Sequence, residues 1–329
     1  MRVTVGIPTF NRAEMLRGAI ESVLAQTFTS FCLIVSDNAS DDETPEVVRS
    51  FDDDRIRYVR SEQNIGPERN FRRLLELAET EFLLILPDDD VLYPDHLRAA
   101  VEVLDQFENV GLVHTAFDLI DEQSRVTASM NPLESRSPVT IERRDLVHER
   151  LMVSDFPICF SSVLYRTTAI VDAGGIRAEE EPFGDLQLWM RIALHWDFGF
   201  VSKPLAGFRI HTETTTRNIG AQHGLTSDGR ELTFLHAQIR LKRRMDFLDA
   251  APLELRSTPR LRALAMLHDL AERSYWGLPW RTVAAGQANL VRRYPRVVLL
   301  PAFWRLAFAQ LGGRRLRSAL RRASAEHGG

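Results

Sequence analysis

The chain predicts an α/β protein, a doubly wound and mostly parallel sheet followed by a C-terminal helical extension. Three observations carry this. Over the first 120 residues, short apolar runs alternate with helix-period patterns and short turns. The run Phe82–Leu86 is continuously apolar rather than alternating, as a strand buried on both faces is. From about Gly229 onward the pattern is almost wholly helical, broken near Pro252, Pro259, Pro279, Pro295 and Gly312-Gly313.

Each element follows from its residues. Val3–Ile7 reads as the first strand, and Ala13–Ala25 as an amphipathic helix carrying Leu16, Ile20, Val23 and Leu24. Phe31–Val35 is the second strand, followed by a helix from about Thr44 to Phe51. Ile56–Val59 is the third strand, Glu68–Ala78 the third helix and Phe82–Leu86 the fourth strand. Pro87 ends that strand, and Tyr93-Pro94 is expected to start a helix with proline near its first position. Beyond 110, Val110–Ile120 and Arg125–Ala128 pair around a turn at Asp121-Glu122, and residues 131–138 are loop chemistry. Ser161–Tyr165 is a strand, Gly174-Gly175 a break, and Asp185–His195 a helix. Phe198–Val201 and Leu205–Ile210 read as two short strands.

The composition is that of an ordinary globular chain: 329 residues, 44% hydrophobic, 26% charged, with a net charge of −4. That balance gives no global case for nucleic acid. It is uneven, however: residues 281–329 hold ten Arg, no Lys and only Glu326 as an acid, a basic tail on an acidic body. Cys32 and Cys159 sit in apolar surroundings and read as buried free thiols, consistent with a reducing cytoplasm. The start of the chain is too quickly broken by Pro8 to read as a signal peptide. No apolar run reaches the length of a membrane span, and the longest, Val297–Leu311, is interrupted by Pro301 and Arg305.

Four segments at strand ends carry candidate chemistry. In Ile7-Pro8-Thr9-Phe10-Asn11-Arg12, the turn amides, the following helix N-terminus and Arg12 suit a diphosphate or a base; a plain capped turn is the alternative. Asp37, ending the second strand, is placed to accept from a base N–H or a ribose hydroxyl, while Ser40 or Asp41 is expected to cap the next helix. In Asn64-Ile65-Gly66-Pro67-Glu68-Arg69-Asn70, Gly66 permits close backbone approach and Arg69 can reach toward a phosphate. Asp88, Asp89 and Asp90 stand at the carboxyl edge of the sheet, where three like charges call for a cation unless the turn is simply solvated.

These segments, in order and spacing, resemble the family 2 glycosyltransferases. The likeness extends to Gly184-Asp185-Leu186-Gln187-Leu188-Trp189-Met190-Arg191, similar to the family's Glu-Asp-x-x-Leu-Trp-x-Arg, and to Phe208-Arg209-Ile210-His211, similar to Tyr-Arg-x-His. It covers residues 1–217. The resemblance implies a GT-A-like fold, with residues 1–228 as the catalytic domain: 1–120 the nucleotide-sugar half and 121–228 the acceptor half. Residues 229–329 form the basic extension. It further implies a nucleotide-diphosphate sugar donor (a UDP-sugar in the first instance), Mn²⁺ or Mg²⁺, and inversion at the anomeric carbon. Asp185 becomes the base; Pro8, Thr9, Asn11, Arg12, Asp37, Asn64, Gly66, Arg69 and Asp88 the nucleotide-sugar contacts; Asp89, Asp90 and His211 the metal set. Trp189 and Arg191 read as packing residues.

Two departures blur this set. Pro87 stands where much of the family has the first aspartate of its metal motif. This leaves either Asp88 and Asp90 as the Asp-x-Asp pair or Asp89 as the main ligand; Asp89 is favoured, with Asp90 or Asp88 as its partner. Gly184 replaces the glutamate before the base. Both departures favour the alternative of a non-catalytic sugar-nucleotide-binding or scaffold protein. A nucleotidyltransferase would want a glycine-rich loop after the first strand, which Pro8–Arg12 lacks. Residues 296–322 interleave Trp304, Phe303, Phe308 and leucines with arginines, a pattern suited either to an anionic membrane face or to packing on a subunit. The expected setting is the cytoplasm, with a peripheral position at the inner membrane face and a glycan or lipid-linked acceptor; an oligomer is left open.

Overall fold

The computed structural model describes residues 1–153, 158–177, 184–210, 244–250, 261–263, 265–267, 288 and 291–292. The chain divides into two compact units, Met1–His148 with Asp155–Thr215, and Glu149–Ser154 with Thr216–Gly329. In the second unit residues 244–250 are helical, and the buried Arg244 donates Nε to the Leu151 carbonyl at 2.9 Å. The tail segment 296–322 lies outside the described residues.

The first unit is built on one sheet. Strands β1 (Val3–Thr9), β2 (Phe31–Asp37), β3 (Ile56–Arg60) and β4 (Phe82–Ile85) run parallel in the order β3-β2-β1-β4. Helices α1 (Ala13–Leu24), α2 (Thr44–Arg49) and α3 (Pro67–Leu77) connect them. The apolar runs explain why the strands are central. Val3, Val5 and Ile7 join Leu16, Ile20 and Val23 of α1 in one fully buried cluster. Gly6 lets α3 approach the other face, since a Cβ there would come 2.9 Å from Leu74. The chain steps outward from β1 to β3 and then returns to the opposite side of β1 for β4. This reversal opens a crevice at the carboxyl ends of β1 and β4, the switch point where open α/β sheets place ligands.

The second half of the sheet is mixed. Its elements are β5 (Val91–Leu92), α4 (His96–Gln106), β6 (Val110–Ile120), β7 (Val126–Met130), β8 (Val139–Glu142), α5 (Arg144–Val153), β9 (Val163–Arg166), α6 (Thr167–Asp172), α7 (Gly184–Ile192) and β10 (Asp197–Arg209). β9 lies antiparallel between β4 and β6, β6 and β10 are parallel, and β5 and β8 pair antiparallel with β10. β7 returns along β6 as the expected hairpin.

Several expectations change. The acidic turn leads first into β5, and α4 begins only at His96, because Val91 and Leu92 find partners on β10. The two short strands near 200 are one strand, β10, with Pro204 at an irregularity in its register where a missing N–H is tolerated. Ser161 lies in a 3-10 turn (Phe160–Ser162), before β9 rather than in it. The α2 entry is not capped by Ser40 or Asp41. Asp42 does this work, accepting from Thr44 N at 3.0 Å and from Ala13 N of α1 at 2.9 Å. Both cysteines are free, but only Cys159 is buried; Cys32 is half-buried against Thr4.

Candidate active site

The β1–β4 crevice gathers the acidic turn and the first loop. Arg12 Nη1 donates to Asp88 Oδ1 at 3.2 Å and to Asp89 Oδ2 at 2.9 Å, so one guanidinium bridges two carboxylates. Asp88 is 5% exposed. Burial pushes its carboxyl up to about 6, and the Arg12 charge restrains that rise. Thr9 Oγ1 is buried beside it and adds to that restraint. Asp89 keeps 17% of its side-chain surface, more than Asp88 does.

Asp90 is placed differently. Its Oδ1 accepts from the Arg209 backbone N at 2.8 Å and its Oδ2 takes the Ser161 hydroxyl, and the residue is 1% exposed. Burial first, and the adjacent Asp89 charge second, push its carboxyl well above the usual range. Both oxygens are therefore held by the protein, whereas Asp88 and Asp89 each turn one oxygen to Arg12.

The other expected contacts divide in the same way. Asp37, fully buried, accepts from Ser40 N at 2.8 Å, from the Tyr58 hydroxyl, and pairs with Arg60 Nε at 3.2 Å. Tyr58 is in turn pushed up by burial and by that carboxylate. The first-loop amides read as anion donors are partly committed: Asn11 N goes to Ser40 Oγ at 3.0 Å, and Ala13 N to Asp42. Asn11, at φ 53°, accepts from Asp41 N. Asn64 Oδ1 accepts from Asn38 Nδ2 and from Gly66 N, which fixes the loop into α3. Gly66 has φ +86°, and a Cβ there would meet only open space. Arg69 is exposed on the first turn of α3, and Pro8 lies half-buried on β1 opposite Ser36. His211 falls outside the described residues.

Asp185 opens α7, keeping part of its surface exposed, and its Oδ1 accepts from Leu186 N at 2.7 Å. Desolvation pushes its carboxyl up. Its charge is felt by the buried Tyr165 hydroxyl, which accepts from Trp189 Nε1 at 3.0 Å. Tyr165 sits on β9 opposite Leu83 of β4, the strand that leads into the acidic turn. Trp189 is buried and Arg191 donates to the carbonyls of Ala173 and Gly175, so both act in packing as expected.

Sequence reasoning missed Tyr58, Ser161 and Arg209, which act on the site through other residues. Arg209 alone carried a signal, its place in the Phe-Arg-Ile-His segment. Among the described residues, no three His, Cys, Asp or Glu side chains converge on one point. The Asp88–Asp89 pair nevertheless fits a hard divalent cation. It is an all-oxygen pair that keeps a net negative charge beside Arg12, and such ions take one or two carboxylates and complete their shell with phosphates.

The sheet, with an acidic turn at its topological switch point, has the architecture of the GT-A fold. Residues 4–163, just under half of the chain, match the model of Glycosyl transferase family 2. It is 29% identical over 214 residues to the GalNAc(5)-diNAcBac-PP-undecaprenol beta-1,3-glucosyltransferase of Campylobacter jejuni, covering 64% of this chain and 65% of that relative. Among solved structures, S. aureus TarS 1–349 in complex with UDP-GlcNAc matches with a TM-score of 0.55 at 18% identity, over 90% of each chain. The mannosyltransferase PcManGT of Pyrobaculum calidifontis, in complex with GDP-Man and Mn²⁺, matches with a TM-score of 0.53 at 17% identity, over 94% of this chain and 87% of that one. Among the described residues, no helix is long and apolar enough to cross a membrane.

Proposed function

We propose that this protein moves a sugar, with inversion, from a nucleotide-diphosphate sugar to an acceptor hydroxyl. The observation that carries the reading is the Arg12–Asp88–Asp89 cluster in the β1–β4 crevice. A bound Mn²⁺ or Mg²⁺, held by Asp89 with Asp88 beside it, would offset charge on the departing diphosphate. Arg12, which already faces both carboxylates, is placed to donate to the same diphosphate. Gly66 leaves open space for a ligand at the entry to α3, and Asp37 with Tyr58 and Arg60 lines the β2 end for the nucleoside. Asp185 takes the proton of the acceptor hydroxyl as its oxygen attacks the anomeric carbon from the side opposite the diphosphate. A carboxyl pushed up by desolvation is the stronger base for that step.

The Campylobacter relative supports a lipid-linked glycan as acceptor, and the basic segment 281–329 supports contact with an anionic membrane face. We keep residues 1–228 as the catalytic module and 229–329 as the extension. Pro87 and Gly184 favour a second reading, a sugar-nucleotide-binding protein without transfer. Asp185→Asn separates the two. If the enzyme reading holds, transfer falls by about 10²–10⁴-fold while donor binding stays. A wild-type chain that binds donor yet transfers to neither water nor any glycan would favour the second.

A further inference from the structure

Arg209 ends β10, and its guanidinium is spent on neutral oxygens. Nε donates to the Asp89 carbonyl at 2.7 Å; Nη1 donates to the carbonyls of Asp121 at 2.7 Å and Glu122 at 3.2 Å; Nη2 donates to Ser124 Oγ at 3.0 Å. The residue is 8% exposed. Burying a guanidinium is costly; the carbonyl partners restore its hydrogen bonds without neutralising its charge, and the nearby Asp90 carboxyl offsets only part of it. A leucine or methionine would fill such a place more cheaply if packing were the only need.

The placement of the fork shows what it does. It grips the peptide of Asp89, the residue whose carboxylate faces Arg12, while Arg209's own N–H grips the carboxylate of Asp90. Two consecutive residues of the acidic turn are thus tied to one residue of β10. The other end of the fork rests on the β6–β7 turn. That turn is itself braced, because Asp121 Oδ1 accepts from Gln123 N at 3.0 Å and Arg125 N at 2.9 Å. A planar, five-donor group is suited to hold three such carbonyls at fixed angles, and a lysine is not.

We infer that Arg209 is a positioning residue for the cation site. By bracing the Asp89 peptide against the β6–β7 turn, it sets where the Asp89 carboxylate stands beside that of Asp88. This rests on the reading of Asp89 as the metal ligand. The test measures free Mn²⁺ by electron paramagnetic resonance with the full chain, in parallel with UDP and with GDP. The variants are Arg209→Lys, Ser124→Ala and Asp89→Asn, each checked for folding by circular dichroism. Arg209→Lys is expected to weaken Mn²⁺ binding about 10- to 100-fold, the usual cost of a lost outer partner. Nucleotide binding without metal is expected to hold. Ser124→Ala, which removes one neutral hydrogen bond, is expected to weaken Mn²⁺ about threefold. A folded Arg209→Lys chain that binds Mn²⁺ as the wild type does, while Asp89→Asn does not, overturns the positioning role and leaves the metal reading intact. If Arg209→Lys does not fold, unchanged Mn²⁺ affinity in Ser124→Ala overturns it. Equal Mn²⁺ binding by Asp89→Asn and wild type, or none by wild type with either nucleotide, removes the metal reading and this inference with it.

Discussion

Replacing Asp88 with asparagine should stabilise the metal-free protein at neutral pH while harming its function. Asp88 is 5% exposed, and its carboxyl moves from 3.8 to about 6 because burial outweighs the attraction of Arg12. Between those values the folded state holds a proton that the unfolded state has released, so stability falls as pH rises through the window. At ~1.4 kcal/mol per tenfold change in proton affinity, the ionised side chain costs the fold roughly 3 kcal/mol above pH 6 and nothing below about pH 4. Asp88→Asn removes that cost and keeps an oxygen for Arg12. Urea denaturation in EDTA, run at several pH values on both proteins, reads the difference directly. The variant is expected to gain up to roughly 3 kcal/mol at pH 7.5 and close to nothing at pH 4. A variant no more stable than wild type at pH 7.5, or equally favoured at both ends, would refute the claim that this carboxylate is kept at the expense of stability. Its retention would then need no ligand to justify it.

His96 supplies the opposite slope. It is fully buried at the start of α4, bonds to the Ser162 carbonyl at 3.1 Å, and is pushed down to about 4 by burial. The folded state thus binds fewer protons than the unfolded one between pH 4 and 6.5, and stability is lost as pH falls through that window, by roughly 3 kcal/mol. The two slopes nearly cancel in the wild type, so Asp88→Asn should expose a steep acid loss that the parent hides, and His96→Gln should flatten that loss. Gly66→Ala tests the α3 entry: with φ +86°, ψ 158° and open space around the missing Cβ, the cost is backbone strain alone, ~1–3 kcal/mol in the urea midpoint. A neutral substitution would show that the loop adopts another conformation.

The parallel half of the sheet was legible because β2 and β4 hold continuous apolar runs and β1 carries Val3, Val5 and Ile7 before a clear turn, and local pattern suffices for such strands. The second half was less so. β5 has two residues and exists only because β10, more than a hundred residues later, pairs with it. β8 and α5 carry exposed or half-buried residues such as Val139 and Leu146, which blurs their periodicity. Pro204 suggested a break that the sheet absorbs as an irregularity.

At the candidate site, motif order singled out the acidic turn and Arg12, which the structure brings together, but not the division of labour. Asp88, Asp89 and Asp90 are equivalent as letters; burial and partners separate two carboxylates facing Arg12 from one locked to Ser161 and Arg209. Arg209 holds carbonyl oxygens some 85 to 120 residues away, and no side-chain pattern encodes a carbonyl partner.

The central claim is that the β1–β4 crevice binds a nucleotide-diphosphate sugar through Asp89 and a divalent cation. A thermal-shift panel of nucleotides and nucleotide sugars, with and without Mn²⁺, tests it on wild type and Asp89→Asn. At least one nucleotide-diphosphate sugar is expected to raise the wild-type midpoint only when Mn²⁺ is present, and Asp89→Asn to lose this shift. A shift of equal size in both proteins, or none with any donor, would contradict it.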